Sequence, residues 1–263
     1  MPISRLTVVS QIALFCLTVF PISGAWADFN YKFHWGRIPV AEFSLTLPAA
    51  ESRSIRVEGE TVGFVGKIFK YDGAMESDYS DMDSVIFSLS GLDNDFAEYR
   101  TIQFFPDRPA EILDFLDDEQ EQPSSEIVQS MGNTVDPLRV VLALLGGAEP
   151  YSHSEEYDAS LCQGDFSVFD GKRHYLLQLT DSGQELLEAD RGWGYSGQAL
   201  RCEMSVTYLE TTDGEEQNPW YKDDEEQRTI WLAEIEGSRV PVRVTMSAPI
   251  GKITGRLELP QGI

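Results

Sequence analysis

An all-β fold, mainly antiparallel, is what this sequence predicts: a curved meander sheet or half-open barrel with one amphipathic helix packed inside it. Three observations carry that expectation. Apolar side chains recur at every second position in segment after segment, the period of a strand with one buried face. Gly, Pro, Asp and Ser punctuate those segments at short intervals. Helix start and stop signals frame a single convincing stretch.

The first two strands are the clearest. Phe29, Tyr31, Phe33 and Trp35 alternate with polar residues, Gly36-Arg37-Ile38-Pro39 interrupts, and Ala41, Phe43, Leu45 and Leu47 resume the alternation, which reads as a hairpin. Further strands are expected at 55–65, 67–75, 85–89, 99–105 and 111–115. The helix is placed at 136–145, where Asp136 caps, Pro137 occupies the first turn and Gly146-Gly147 stops the run. Its Leu138, Val141, Leu142 and Leu145 form an apolar stripe that must lie against the sheet or across the mouth of a cavity. After it come strands at 166–169, 174–180, 199–209, 229–236, 240–246 and 253–259, separated by Asp-Gly, Asp-Ser-Gly, Glu-Gly-Ser and Pro-Ile-Gly turns. Pro241 inside one of them requires an edge strand or a bulge. The acidic stretches 117–121 and 215–226 read as solvated loops. Many consecutive strands in one sheet tend to curl and to cover their edges.

The 263 residues are 42% hydrophobic and 11% aromatic, enough apolar surface to offset the entropy of ordering the chain. With 20 Lys+Arg against 44 Asp+Glu, the formal charge of −24 repels a phosphate backbone, so nucleic acid is excluded as a partner. At the start, Arg5 precedes an apolar run from Leu6 to Phe20, and Ala25-Trp26-Ala27 stands just ahead of Asp28. That order predicts a secretory signal peptide over 1–27, cleaved between Ala27 and Asp28, and hence a periplasmic protein. The apolar run is too short, and too soon followed by Pro21 and Gly24, for a membrane anchor. The mature chain, 28–263, is expected to be a single β-rich domain without a transmembrane segment.

Cleavage leaves Cys162 and Cys202 in an oxidising compartment, where a disulfide is the expectation and two buried free thiols the alternative. Closing a loop of about 40 residues, it would contribute on the order of 3 to 4 kcal/mol through the unfolded state.

Motifs for chemistry are scarce. Gly192-Trp193-Gly194-Tyr195-Ser196-Gly197 spells G-x-G-x-x-G, but Asp190-Arg191 precede it and a strand follows, so the strand-turn-helix context of a dinucleotide site is missing. No G-x-S-x-G occurs. The three histidines, His34, His153 and His174, have no sequence partner that builds a triad. Asp78, Asp81 and Asp83, like Asp93 and Asp95, lack the glycine and distal glutamate of a calcium loop and read as solvated surface. No cofactor or metal is implied. Asp170-Gly171-Lys172-Arg173-His174-Tyr175 places three potentially cationic side chains together on an acidic chain: Lys172 and Arg173 could receive an anionic group, or pair with nearby carboxylates. Lys172, Arg173 and His174, with Trp35 on the first strand and Leu138 and Leu142 on the helix, are the candidate contacts for a ligand or partner.

Trp35-Gly36-Arg37-Ile38-Pro39-Val40-Ala41-Glu42, Asp136-Pro137-Leu138, Cys162, Asp170-Gly171-Lys172-Arg173-His174-Tyr175, Leu200-Arg201-Cys202 and Val240-Pro241-Val242-Arg243 follow one another along the chain. Taken in that order, they resemble the exported bacterial proteins of the domain of unknown function 3108 family. Ala41 stands where the family pattern reads Gly. The resemblance implies a periplasmic β-rich protein with no assigned reaction, and it transfers no catalytic residue. Three functions fit: a carrier sheltering an apolar, lipid-like ligand beneath the helix as a lid; an envelope accessory protein pairing through a strand edge; or a hydrolase using one of the histidines.

Overall fold

The computed structural model describes residues 28–47, 53–81, 83–117, 122–145, 162–189, 194–211, 228–235, 237–248 and 251–259. The expected signal peptide, residues 118–121 of the first acidic stretch, Gly146-Gly147, His153, the acidic stretch 215–226 and the first residues of the glycine-rich motif lie outside them.

Thirteen strands are described: β1 (Asp28–Trp35), β2 (Ile38–Thr46), β3 (Ser54–Thr61), β4 (Tyr71–Asp78), β5 (Val85–Asp93), β6 (Phe96–Phe104), β7 (Glu111–Asp117), β8 (Gly164–Phe169), β9 (Arg173–Leu187), β10 (Gly197–Thr211), β11 (Arg228–Ile235), β12 (Ser238–Ala248) and β13 (Gly251–Leu257). Two helices, α1 (Ser125–Ser130) and α2 (Pro137–Leu144), stand between β7 and β8. All thirteen strands belong to one antiparallel sheet, in the order β7-β6-β5-β4-β3-β2-β1-β13-β12-β11-β10-β9-β8. The first and last strands pair with each other in its middle, Tyr31 opposite Leu257. The sheet therefore grows outward in both directions by hairpins, and its two edges, β7 and β8, flank the helical segment.

The sheet curls but does not close into a barrel. Where β7 and β8 would have to pair, Val135 inserts instead, bridging β8 in parallel through Val135 N to Ser167 O (2.8 Å) and Phe169 N to Val135 O (3.0 Å). That bridge blunts the β8 edge. β7 is blunted by a register shift at Thr101/Ile102 and by its own acids.

Most expected strands lie where the alternation puts them, with three differences. The Asp-Ser-Gly sequence at 181–183 is not a turn but a bulge inside the fifteen-residue β9: Leu200 faces Gln184 while Cys202 faces Asp181, and Gly183 takes a φ of 83°. The segments 55–65 and 67–75 are only partly strand, because β3 ends at Thr61 and a 3-10 turn at Val65–Lys67 delays β4 to Tyr71. α1 carries no long apolar period to announce it, but Ser124 caps it by accepting a hydrogen bond from Ile127 N. Pro241 occupies an interior strand, and a register shift at Trp231/Leu232 accommodates it, so the bulge explanation holds.

The buried residues form two clusters. The larger gathers Tyr31, Leu45, Ile55, Phe87, Ile102, Phe104 and Leu257 from β1–β3, β5, β6 and β13. The smaller gathers Phe166, Val168, Leu177, Leu179 and Ile230 around Cys162 and Cys202. These two cysteines lie at disulfide distance, Cα–Cα 5.7 Å, and tie the entry to β8 back to β10. Helix α2 wedges between the clusters: Leu138, Val141, Leu142 and Leu145 pack on the larger, Val140, Ala143 and Leu144 on the smaller. The apolar stripe read from sequence is thus half of the story. A helix apolar almost all round belongs in an interior, and α2 is a core element rather than a lid.

Candidate functional site

The gap between the two sheet edges is the most chemically varied place among the described residues. At its α2 end stands Asp136. As N-cap, its Oδ1 accepts hydrogen bonds from Leu138 N (2.9 Å) and Arg139 N (3.0 Å). The same oxygen accepts from Ser77 Oγ (2.6 Å), and Oδ2 accepts from the Tyr79 hydroxyl (3.3 Å). Strand β4 thereby clamps the start of α2. Asp136 is only 2% exposed, and burial pushes its carboxyl above the ordinary value of 3.8 despite these donors and the Arg139 charge. Burial, reinforced by Asp136, likewise raises the Tyr79 phenol. Ser77 and Tyr79 are as deeply buried as the carboxyl, so this knot fixes the helix and presents no nucleophile to solvent.

Beside the knot lies a cleft of about 80 Å³, lined by Val85, Phe104, Phe105, Pro106, Thr134, Val135, Asp136 and Arg139. Its walls are mainly apolar, with the half-buried Arg139 and the Thr134 hydroxyl at the polar side. Sites that bury a drug-sized ligand run from roughly 300 Å³ upward, so only the end of a ligand or one side chain enters here.

Farther along the gap the two edges are joined by charge. The β8–β9 turn delivers Lys172 onto Asp117 of β7 and to within 3.6 Å of Glu98 on β6. Arg100 of β6 pairs with Glu98, lies 3.8 Å from Asp117, and donates from Nη1 to the carbonyl of Asp170 at 3.2 Å. Asp170 shapes the turn by accepting from Lys172 N and Arg173 N. Gly171 at its apex has a φ of 97°, and a Cβ there would come within 2.8 Å of Arg100 Cδ, so both conformation and contact demand glycine. Asp117, expected in a solvated acidic loop, instead has a side chain only 4% exposed, because the curl of the sheet brings the cationic turn over it.

The sequence candidates are scattered by the fold. Lys172 takes part in this network, while Arg173 lies 3.7 Å from Asp170. His174 is buried in β9 with Nε2 2.8 Å from Ser167 Oγ. Leu138 is enclosed in the larger core cluster and Leu142 packs at its margin. Trp35 lies at the far end of β1, exposed and alongside Gly251. Asp78 and Asp81 accept from the backbone amides of Ser80 and Asp83 in local turns. Among the described residues no cluster of three or more His, Cys, Asp or Glu is arranged to hold a metal ion. Also among them, no helix is long and apolar enough to cross a membrane. Sequence reasoning found Asp136 as a cap and Lys172 as an unusual cation. It did not find Ser77, Tyr79, Glu98, Arg100 or Asp117, whose roles arise from pairings 50 or more residues away in the chain for all but the Arg100–Glu98 contact and the Asp117 contacts within the β6–β7 hairpin.

A family model matches nearly the whole span of the described residues. The model described as a protein of unknown function, DUF3108, matches residues 30–258. The chain belongs to that family. No curated protein and no solved structure matches it. The DUF3108 match runs from β1 to the residue after β13, so both sheet edges and everything between them fall inside it.

Proposed function

We propose that this DUF3108 protein is exported to the periplasm after removal of residues 1–27 and works there without catalysis, as a binding protein for an apolar, lipid-like ligand. The observation that carries the reading is the cleft beside α2. Val85, Phe104, Phe105, Pro106 and Val135 offer an apolar wall, and Arg139 sets a positive charge next to it. That pairing suits a chain end whose neighbouring group is anionic. At about 80 Å³ the cleft takes the tip of such a ligand, with the remainder lying over the surface of the gap. Both sheet edges are blunted, which disfavours strand pairing with another protein as the primary activity.

Protein recovered from its native envelope is expected to carry a lipid by mass spectrometry and to bind a fluorescent fatty-acid probe. Arg139→Ala should weaken the probe at least tenfold while leaving the circular dichroism spectrum unchanged. Protein free of lipid that also ignores the probe would defeat the reading. Independently, detection of a mature chain beginning at Asp28 in the periplasmic fraction tests the export step.

A further inference from the structure

Opposite the cleft, at the other end of the strands, the molecule shows a different surface. The turn between β1 and β2 exposes Trp35 and Ile38, and the loop 62–70 exposes Phe64 (68%), Ile68 (50%) and Phe69 (59%). These segments are neighbours: Val62 N donates to Val40 O (3.0 Å), and a Cβ on Gly63 would lie 3.0 Å from Pro39 O. The loop is also pinned on its other side, where Lys70 N donates to Asn94 Oδ1 (3.0 Å), Asn94 N to Lys70 O (2.6 Å) and Thr61 Oγ1 to Phe69 O (2.7 Å). Its backbone is held by hydrogen bonds while its large apolar side chains face outward. Contiguous exposure of that kind marks a contact surface.

Charge identifies what the surface meets. Segments 35–39 and 62–70 carry Arg37, Lys67 and Lys70 and no acid, in a chain with 44 Asp+Glu against 20 Lys+Arg. Lys252, adjoining Gly251 beneath Trp35, adds a fourth cation. None of the four has a carboxylate partner among the described residues, whereas Lys32, Arg56, Arg100, Lys172 and Arg201 all do. The adjoining β5–β6 turn, with exposed Leu92 and Phe96 beside Asp93 and Asp95, bounds the cationic face on one side.

We propose that this end of the sheet is a docking surface for an anionic phospholipid bilayer. Phe64, Ile68, Phe69 and Trp35 enter the interface at headgroup depth, where aromatic and aliphatic side chains are favoured beside a wet boundary. Arg37, Lys67 and Lys70 reach the phosphates with their flexible stems. The acidic remainder of the molecule is repelled by the same bilayer, so the charge distribution also orients the protein with this end down. The surface and the cleft sit at opposite ends of β5 and β6, near the Asp93–Phe96 and Val85–Phe104 pairs respectively. The proposal therefore stands apart from the ligand reading and can fail without it.

The test is cosedimentation with large vesicles, either phosphatidylcholine alone or phosphatidylethanolamine mixed with phosphatidylglycerol, using protein expressed from the full coding sequence. Residues 1–27 are common to all variants, so differences between variants report on this end alone. Binding is expected on the phosphatidylglycerol vesicles, weaker on phosphatidylcholine, and falling as salt rises from about 50 to about 500 mM. Lys67→Glu with Lys70→Glu should lower the anionic-vesicle partition about tenfold or more. Phe64→Ser with Phe69→Ser should lower it on both vesicle types, while Leu113→Ser with Leu116→Ser, exposed on β7, should leave it unchanged. Brominated lipid should quench a tryptophan signal that Trp35→Phe removes. Equal partition of the wild type and both loop variants, or no binding to phosphatidylglycerol vesicles, would overturn the proposal and return the surface to a protein partner.

Discussion

At one end of the gap between β7 and β8 the sheet edges are held by opposite charges, and at the other by a backbone bridge and a capped helix. The two devices solve the same problem, keeping a curled sheet from opening, with different chemistry. Lys172, Arg100, Asp117 and Glu98 come from β6, β7 and the β8–β9 turn, and each loses solvent on meeting the others. Such a cluster gives little net stability over an apolar substitute but is costly to break singly, since a lone buried charge remains. Asp136 instead takes two of its donors from the first turn of its own helix and two, Ser77 and Tyr79, from the β4 side, so half of its environment is local and its acceptor positions are nearly saturated. The charged end specifies which edges meet; the capped end supplies the packing that makes the meeting stable.

The largest effect should come from breaking the charged end. Lys172→Ala leaves Asp117 and Glu98 sharing Arg100, and is expected to cost about 3 to 5 kcal/mol in urea unfolding. Removing both charges of the closest pair with Lys172→Met and Asp117→Leu should recover most of that loss. A double variant as unstable as the single one would show that the pair contributes stability and not only selectivity. Next in size is the sulfur link that anchors β8, one side of the gap, to β10. Cys162→Ala with Cys202→Ala should cost about 3 to 4 kcal/mol. The same loss is expected in wild type under reductant, with no further change when reductant is added to the double variant.

How much of the molecule was legible depends on where each residue finds its partners. β1 and β2 face water on one side, so Phe29, Tyr31, Phe43 and Leu45 alternate with polar neighbours and declare a strand. β11 is buried at every position from Thr229 to Ala233, and its continuous apolar run is readable as a strand only through its flanking turns. The capped start of α2 was legible because Asp136-Pro137 is a local signal, while its burial on both sides was hidden in Val140, Ala143 and Leu144, residues that a stripe drawn through Leu138 and Leu142 leaves out. Lys172 stood out as a cation in an acidic chain, but Asp117 and Glu98 could not be assigned to it, since only the curl of thirteen strands brings them together. Trp35 stands at the end of a strand whose alternation is legible, whereas nothing local in 62–70 distinguishes Lys67 and Lys70 from cations paired across the sheet, such as Lys32 with Glu258.

The capped end should respond more mildly and with a distinctive pH dependence. Asp136→Ala removes the cap and strands the Ser77 and Tyr79 hydroxyls, an expected loss of about 2 kcal/mol. Asp136→Asn keeps an oxygen for Leu138 N, Arg139 N and Ser77 and should be neutral or mildly stabilising. Folding raises the carboxyl above 3.8, so the folded state holds its proton more tightly than the unfolded chain. The stability this brings is present below the ordinary carboxylate value and is lost as pH rises through the folded value. Comparing wild type with Asp136→Asn from acid toward neutral pH should therefore show the wild type losing ground to the variant. A gap that narrows over that interval would mean the ionised carboxylate is the better-bound form.

The smallest effect concerns Tyr31, whose buried hydroxyl has no hydrogen-bond partner among the described residues. Asp136 shows what a polar group needs to be comfortable in this interior; Tyr31 lacks it, held between Phe43 and Leu257 on neighbouring strands. Tyr31→Phe deletes one oxygen without changing the ring, so it should be neutral or stabilise by up to about 1 kcal/mol, read as a higher urea midpoint at constant slope. Burial also raises the phenol above its ordinary value of 10.0, which means the neutral form is favoured on folding and that contribution fades as alkaline pH approaches the raised value. Tyr31→Phe should accordingly blunt alkaline unfolding without abolishing it, because Tyr79 and Tyr175 are raised by burial in the same way. If the variant instead loses stability at neutral pH, the hydroxyl has a partner after all, and the contrast with Asp136 dissolves into two examples of one rule.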